Sequence, residues 1–530
     1  MDPNRLPLKD RVLGPILRAA GREHGDRPYL TVDGRTWSFG HTDHVVRSVA
    51  RGLRANGTGK GDTVALLLPN CAEFVFAWYA AAVVGAIWVP VNPAYDGELL
   101  DYTLADSGST ALVVHRSLAP ALATLPAGTL RRLAWVAVVG GRAGLDLPEG
   151  PGRYLDWDAL RVEHGPDPEV PCTYADVQCV MYTSGTTGRA KGVVMPNGHF
   201  FASTGVFLRA LELGRDDVLY TPLPLFHGLA SRLGVLPALM AGAHVHVAPK
   251  FHASTFWREV TECGATVGHT IFTIPPILKG QAPSEWDRAH RLRAMYNASH
   301  DPEFERRFGV TLVEAYGMTE TGLTIYSAPS ERVPGSCGRV DADWEGCIVD
   351  DQGLALPDGE VGEIALRPRL PSIMMRGYLN KPAETLAVFA DLWYRTGDYA
   401  RRDADGRYWF TGRKKERIRR RGENISAWEI ERVVSDHPAV RDCAAVAHPA
   451  RAGEDDIRIV LSLQPDGRLA PAELIAWLQG RLPAFMLPRY VEIVDELPYT
   501  ATAKVEKFKL VSQGLTPGAW DREAQGGERG

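Results

Sequence analysis

The sequence predicts an α/β chain, with a large N-terminal domain of mostly parallel sheets and helices, an added β subdomain, and a small α+β C-terminal domain. Three observations carry that prediction. Up to about residue 335, short apolar runs alternate with helix-period stretches, as in consecutive βα units. From about Gly335 the texture changes to strand pairs around Gly-bearing turns. After Thr411 the charge-dense stretch GRKKERIRRRGENIS marks an exposed joint. The α+β pattern that follows it is the length of a small domain, about a hundred residues.

The first region supplies the strand candidates VALLLP (64–69), ALVVH (111–115), AWVAVVG (134–140), HVHVA (244–248) and TLVEAYG (311–317), with helical stretches such as Phe256 to Cys263 between them. Phe74 to Val91, FVFAWYAAAVVGAIWVPV, is eighteen residues without a charge, the lower limit for a membrane span. Gly85 and Pro90 divide it, and AIWVPV after Gly85 is strand-like, so the reading adopted is a buried helix turning into a buried strand, with no membrane span. In the β subdomain, about 335–412, GCIVDDQGLALPDGEVGEIALRP and YARRDADGRYWFTG read as strand pairs, with Asp405-Gly406 as a hairpin turn. Beyond the joint, Ser426 and Glu429 have capping-box spacing, and Ile430, Val433 and Val434 form the apolar face of the helix they open. Strand runs at 444–447 and 457–463, a helix with Pro471 in its first turn, and YVEIVDELP complete the small domain. The tail 512–530 lacks periodicity and is expected to be without order. The domain expectation is therefore 1–413, a connection at 414–416, 417–511, and the tail.

A chain of 530 residues is too long for one ordinary core. Its net charge of −5 gives no footprint for nucleic acid and no polybasic face for anionic lipid. Seven scattered cysteines without a C-x-x-C pair suggest neither a disulfide framework nor a zinc site. That cysteine usage fits a reducing cytoplasm, and the N-terminus interleaves charges with apolar residues and lacks the continuous h-region of a signal peptide.

The stretch YTSGTTGRAKGVV (182–194) carries the most chemistry. Gly185, Gly188 and Gly192 let the backbone bend and approach a ligand, exposing N–H donors. Thr183, Ser184, Thr186 and Thr187 add hydroxyls, and Lys191 adds a mobile cation, so the loop reads as a nest for a polyanion. It is not a Walker loop, because Lys191 comes three residues after Gly188 and the VVM beyond Gly192 is strand-like. A flexible Ser/Gly linker is the alternative, and the strand-like runs on both sides weigh against it.

The loop is followed by PLPLFHG (222–228), EAYGMTET (314–321), YRTGD (394–398), GRKKERIRRRGENIS (412–426) and PYTATAKVEK (498–507). In that order, over about Tyr29 to Leu510, these motifs resemble the adenylate-forming (ANL) superfamily of acyl-CoA ligases, peptide-synthetase adenylation domains and firefly-type luciferases. The resemblance implies a small C-terminal domain that is mobile, and a reaction using ATP, Mg2+ and coenzyme A with release of AMP. It places the pyrophosphate in the 183–191 loop, Mg2+ on Glu320 and the α-phosphate on Thr319. Tyr316 and Gly317 would line the adenine, with Met318 in the same nucleotide site. Asp398 would accept from both ribose hydroxyls, a hairpin-capping Asp being the bland alternative, and Arg413 would reach ribose or phosphate. His227 would border the carboxyl pocket and shape the path of the thiol, and Lys504 would bind carboxylate and α-phosphate oxygens during adenylation. Lys415 would be the hinge, Gly422 would let pantetheine pass, and arginines 417 and 419–421 would meet CoA phosphates or form a solvated cluster. The acid pocket would be built from segments around 227–235 and 270–300, where Trp286, Met295 and Tyr296 hint at an apolar site.

Two departures qualify the resemblance. MYNASHDPEF (295–304) stands where most members carry a Gly-Ala-Pro-like loop, with Asn297, Ala298 and Ser299 in its place, an arrangement found in sequences resembling carnitine or crotonobetaine CoA ligases. Ala503 stands where glycine normally precedes the lysine, and a Cβ at positive φ there would cost about 1 kcal/mol or more. The expectation is a ligase for a non-amino carboxylic acid, since PLPLFHG offers no acid to pair an ammonium group. An enzyme that only converts a preformed acyl-adenylate to a thioester, a non-catalytic nucleotide sensor and a luciferase-like oxygenase are the alternatives. The identity of the acid and a homodimeric state are left open by the sequence.

Overall fold

The computed structural model describes residues 6–183, 190–271, 274–297, 299–420, 423–450, 455–465, 467–499 and 505–524. The chain divides into two compact units, Met1–Phe272 with Pro283–Glu345 and Pro368–Val388, and Thr273–Ala282 with Gly346–Arg367 and Phe389–Gly530.

Two twisted sheets organise the first unit. One runs, in spatial order, Gly377–Tyr378, Lys191–Pro196, Val177–Thr183, Ile87–Pro90, Thr63–Leu67, Ala111–His115, Trp135–Val139 and Tyr154–Asp156. From Val177–Thr183 onward every pairing is parallel, and the two pairings at the other edge are antiparallel. The other sheet runs Arg339–Val340, Gly322–Tyr326, Thr311–Met318, Ala294–Asn297, Val267–His269, Val218–Thr221, His244–Val247, Pro28–Val32 and Arg35–Ser38, parallel through its middle and antiparallel at both ends. The apolar runs read as strands from sequence are the parallel strands of these sheets, which are covered on both faces and so carry few polar side chains.

The eighteen-residue uncharged stretch is a helix, Ala72–Val83, followed by the strand Ile87–Pro90. Gly85 makes the turn between them at φ +72°, a conformation costly for any residue with a Cβ. Trp78 and Trp88 are fully buried with ring centroids 4.9 Å apart, and Phe200 lies 6.1–6.2 Å from both. Burying a side chain of this size contributes about 1.5–3 kcal/mol, which explains why the helix is apolar all round. Among the described residues no helix is long and apolar enough to cross a membrane.

The elements that frame the site are labelled in chain order: β1 (Val177–Thr183), β2 (Lys191–Pro196), α1 (Asn197–Leu211), β3 (Thr311–Met318), β4 (Gly322–Tyr326), β5 (Gly377–Tyr378), β6 (Trp393–Arg402) and β7 (Tyr408–Arg413). Helix α1 is fastened to the β3–β4 hairpin by Ser203 Oγ, which accepts from Leu323 N at 2.9 Å, and by Arg209 Nε, which donates to Tyr326 OH at 2.9 Å.

The second unit holds antiparallel strands around β6 and β7, whose turn places Gly406 at φ +77° as the Asp405-Gly406 reading expected. Its other core joins Val440–Pro449, Asp455–Leu463 and Tyr490–Ile493 with the helices Ala427–Ser435 and Pro471–Leu478. Two sequence readings are corrected here. Ser426 is the N-cap, but its side chain makes no capping bond; the hydroxyl is buried against Gly412, where an added Cβ would come within 2.3 Å of it. The tail is ordered at least to residue 524. Its helix Lys507–Gln513 is followed by Trp520–Asp521, which pairs with Tyr490–Val491 because Arg489 grips Asp521 with two nitrogens at 3.1–3.2 Å.

Candidate active site

The stretch read as a polyanion nest connects β1 and β2, which pair in the register Tyr182↔Gly192 and Thr183↔Lys191, so strands flank it on both sides as the sequence indicated. Ser184, Gly185, Thr186, Thr187 and Gly188 lie outside the described residues. The flanks are fixed from both sides: Tyr182 OH donates to Asp106 Oδ2 at 2.8 Å, and Tyr102 OH donates to Ala190 O at 2.9 Å. Gly192 has a packing reason beyond loop flexibility, since a Cβ there would come within 2.9 Å of Val180.

The β3–β4 hairpin carries YGMTE. Gly317 is obligatory, because an added Cβ would stand 2.4 Å from Gly322 O. A register shift between Tyr316 and Gly317 and a φ of +75° at Gly322 turn the chain sharply, leaving Tyr316 buried and Met318 and Thr319 half-buried at the turn. Glu320 closes the turn at 8% exposure. Its backbone oxygen accepts from Met375 N at 2.8 Å and is 3.1 Å from His199 Nε2, while its Oε1 accepts from Tyr378 OH at 2.9 Å. Tyr378 is on β5, paired to Val193 of β2, and its ring lies 4.7 Å under Lys191 Nζ. Three segments far apart in sequence thus converge on one carboxylate, 191–194, 314–320 and 375–378.

His199 opens α1 fully buried. Burial, then the charge of Arg232, hold its imidazole well below the usual range, so it is neutral, and Arg232 Nη1 donates to Nδ1 at 3.2 Å. That leaves the ring proton on Nε2, facing the carbonyl of Glu320. His227 lies in the PLPLFHG loop, where Leu229 N donates to its Nδ1 at 3.3 Å and Ser231 Oγ donates to its carbonyl at 3.1 Å. Asn70 braces the loop by donating to Leu223 O and Ala248 O at 2.9–3.0 Å and accepting from Leu225 N at 2.7 Å.

The non-Gly-Ala-Pro segment is the end of the strand Ala294–Asn297 and the helix Pro302–Phe308 capped by Asp301, with Ala298 outside the described residues. Asn297 is fixed there, accepting from Thr270 Oγ1 at 2.8 Å and donating to Ser299 O at 2.7 Å. Met295 and Tyr296 are buried, while Trp286 is half-buried in the short turn Glu285–Arg288.

In the second unit, Asp398 lies within strand β6 at 8% exposure, not at a hairpin turn, in register with Arg413 of β7, whose Nε is 3.7 Å from Asp398 Oδ1. The turn-capping role falls to Asp403, which accepts from Asp405 N and Arg407 N. Lys415 lies in the short turn Lys414–Glu416, anchored through Lys414 to Asp351 at 2.9 Å and Glu363 at 3.3 Å. Arg420 corrects the reading of the arginine cluster. It is buried, donates to Leu487 O at 2.9 Å and faces Asp456 at 3.4 Å, which is a core role. Gly422, Arg421, Ala503 and Lys504 lie outside the described residues.

Tyr378, His199, Arg232 and Asn70 were missed by the sequence reading, because nothing in local pattern tells that they meet Glu320 or the His227 loop. Among the described residues no group of three or more His, Cys, Asp or Glu side chains could hold a metal ion. A single carboxylate with, among the described residues, one oxygen hydrogen-bonded suits Mg2+, which takes one or two carboxylates and completes its shell with phosphates and water.

The sequence matches the AMP-binding enzyme family over residues 17–379 and the AMP-binding enzyme C-terminal domain over 429–504. The chain belongs to the AMP-binding enzyme family. Relatives within reach of this AMP-binding enzyme include a crotonobetaine/carnitine–CoA ligase of Salmonella paratyphi A, 30% identical over 502 residues, covering 92% of this chain and 96% of that one. The fold is similar to the anthranilate CoA ligase AuaEII in complex with anthranoyl-AMP, with TM-score 0.87 and 25% identity over 97% of this chain and 99% of that one. It is also similar to an o-succinylbenzoate coenzyme A synthetase of Bacillus subtilis in complex with AMP, with TM-score 0.79 and 25% identity over 93% and 97% of the two chains.

Proposed function

We propose that this protein is an AMP-forming acyl-CoA ligase: it activates a non-amino carboxylic acid with ATP as an acyl-adenylate and transfers the acyl group to the thiol of coenzyme A. The observation that carries the reading is the convergence of Lys191, Tyr378 and Glu320, which joins the phosphate-loop hairpin to the YGMTE turn. A carboxylate attacking a triphosphate brings anion against anion, so catalysis requires fixed cations and donors around the transferring phosphorus. Lys191 supplies a cation at the loop end, beside the N–H and hydroxyl donors of Thr183, Ser184, Gly185, Thr186, Thr187 and Gly188. Glu320 would hold Mg2+, which when bound would supply charge to the phosphate oxygens. Thr319 meets the α-phosphate, Tyr316, Gly317 and Met318 form the adenine site, and Asp398 with Arg413 takes the ribose. Lys504 brings a point charge to the carboxylate and α-phosphate.

His227 borders the carboxyl pocket. In the second half-reaction the domain beyond Lys415 rotates, withdrawing Lys504 and bringing Gly422 to the pantetheine path. The reading includes a cytoplasmic site of action, and light scattering tests the homodimer. The relatives named above, CoA ligases and a coenzyme A synthetase, favour this reading over a sensor, an oxygenase or a thioesterification-only enzyme. The test is a panel of carboxylic acids incubated with ATP, Mg2+ and CoA, scored by mass spectrometry for thioester and AMP. Pyrophosphate exchange without CoA reports the first half-reaction separately. Thioester from synthetic acyl-adenylate with no exchange for any acid would instead favour the thioesterification-only enzyme.

A further inference from the structure

Immediately after His227 the chain makes a widened helical turn, Ser231–Val235, closed by Leu233 N to Gly228 O at 3.1 Å and Val235 N to Ala230 O at 2.9 Å. Widened turns of this kind recur at functional sites because they redirect a side chain. Here the side chain directed inward is Arg232, at 5% exposure. Its Nη1 donates to the neutral His199, its Nε is buried with no hydrogen-bond partner, and Glu320 acts on it electrostatically without an ion pair among the described residues. The guanidinium is brought down to about 10 by burial, and so remains charged at neutral pH. A desolvated cation with no carboxylate in direct contact is costly to keep unless something else supplies the anion.

Arg232 belongs to one of the two segments assigned to the acid pocket and is close enough to Tyr296, in the other, for the two to interact electrostatically. Within these segments Thr270 donates to Asn297 and Tyr296 OH, at 3.4 Å, to Ala315 O. The charge of Glu320 acts on Arg232, but its Oε1 already accepts from Tyr378.

We propose that Arg232 receives a second carboxylate of the substrate, distal to the one being activated, so that the acid is a dicarboxylic acid. A carboxylate oxygen satisfies the open Nε–H and neutralises the buried charge together. The same guanidinium rejects an acid that carries a quaternary ammonium, as carnitine does, by like-charge repulsion in a desolvated site. The inference rests on the ligase reading and deepens it.

The test compares dicarboxylic acids of two to eight connecting carbons with their monoamides and with carnitine, on the full-length protein, by the rate of thioester formation at low acid concentration. The expected result is a preference for a dicarboxylic acid over its monoamide of about tenfold or more. Arg232→Met brings that ratio to about one, and Arg232→Lys retains part of it. A residue acting only through His199 and Glu320 would slow all acids alike and leave the ratio unchanged, which overturns the proposal. If Arg232→Met does not fold, the wild-type ratio decides, and equal or better use of monoamides or carnitine overturns it as well. Thioester from monocarboxylic acids alone leaves the ligase reading standing, whereas no thioester from any acid removes both.

Discussion

Glu320 is gripped at both its carbonyl and its carboxylate, and that double grip sets what single substitutions do. Tyr378→Phe removes the donor to Oε1 while keeping the ring under Lys191. A hydrogen bond to a charged group contributes about 1.5–3 kcal/mol, so the Mg2+ needed for half-maximal nucleotide binding rises by about tenfold or more. A Mg2+ titration with a fluorescent ATP analogue reads this directly, and an unshifted midpoint disposes of the role. Glu314, six residues upstream on β3, has a different environment. Burial pushes its carboxyl up to about 7, against the bond from Gly335 N at 2.7 Å. With the folded value raised, its contribution to stability is fully present below about pH 4.5 and is lost as pH rises through about 7. Glu314→Gln, which keeps an acceptor for Gly335 and carries no charge, therefore gains on the wild type by up to about 3 kcal/mol between pH 5 and 8. Thermal unfolding of both proteins across that range checks the sign, and parallel pH profiles refute it.

At the scale of elements, the site is the meeting of two hairpins on one helix. The β1–β2 hairpin flanks the proposed phosphate loop, the β3–β4 hairpin presents Glu320, and α1 fastens the second through Ser203, Arg209 and His199. The weak point is Gly317, whose missing Cβ lets the strands of the second hairpin touch. Gly317→Ala forces Gly322 aside, with an expected loss of about 2 kcal/mol or more of stability and of measurable AMP binding. Calorimetric titration with AMP beside thermal unfolding tests this; retained affinity with unchanged melting would show that the hairpin can relax. The strands themselves were legible because buried parallel strands are apolar runs and turns carry Gly. The capping box at Ser426 was not, since Gly412 approaches from the strand β7, and that approach draws the hydroxyl into the core.

At the scale of the molecule, the chain forms two compact units, and the second depends on a buried ion pair. Arg458 donates to both oxygens of Glu492 at 2.7–2.9 Å and to Leu510 O at 2.7 Å, tying two strands to the helix that follows the Lys504 motif. Arg458→Met leaves the Glu492 charge buried with only the Thr516 hydroxyl donating to it, at a cost of about 3–5 kcal/mol. Calorimetry should show a lowered transition for the second unit, with much of the loss recovered in Arg458→Met/Glu492→Leu. A double variant no better than the single would mean the arginine acts through Leu510 alone.

The sequence by itself determined the family, the order of strands and helices and the residues of each motif, because periodicity, turn chemistry and motif spacing are local properties of the chain. It could not tell that Tyr378 and His199 hold Glu320, that Asn70 braces the His227 loop, that Arg420 is a core residue or that Arg232 is a buried cation. Each of those depends on which distant segments the sheets bring together, and burial and pairing are set by contacts that exist only once the chain is folded.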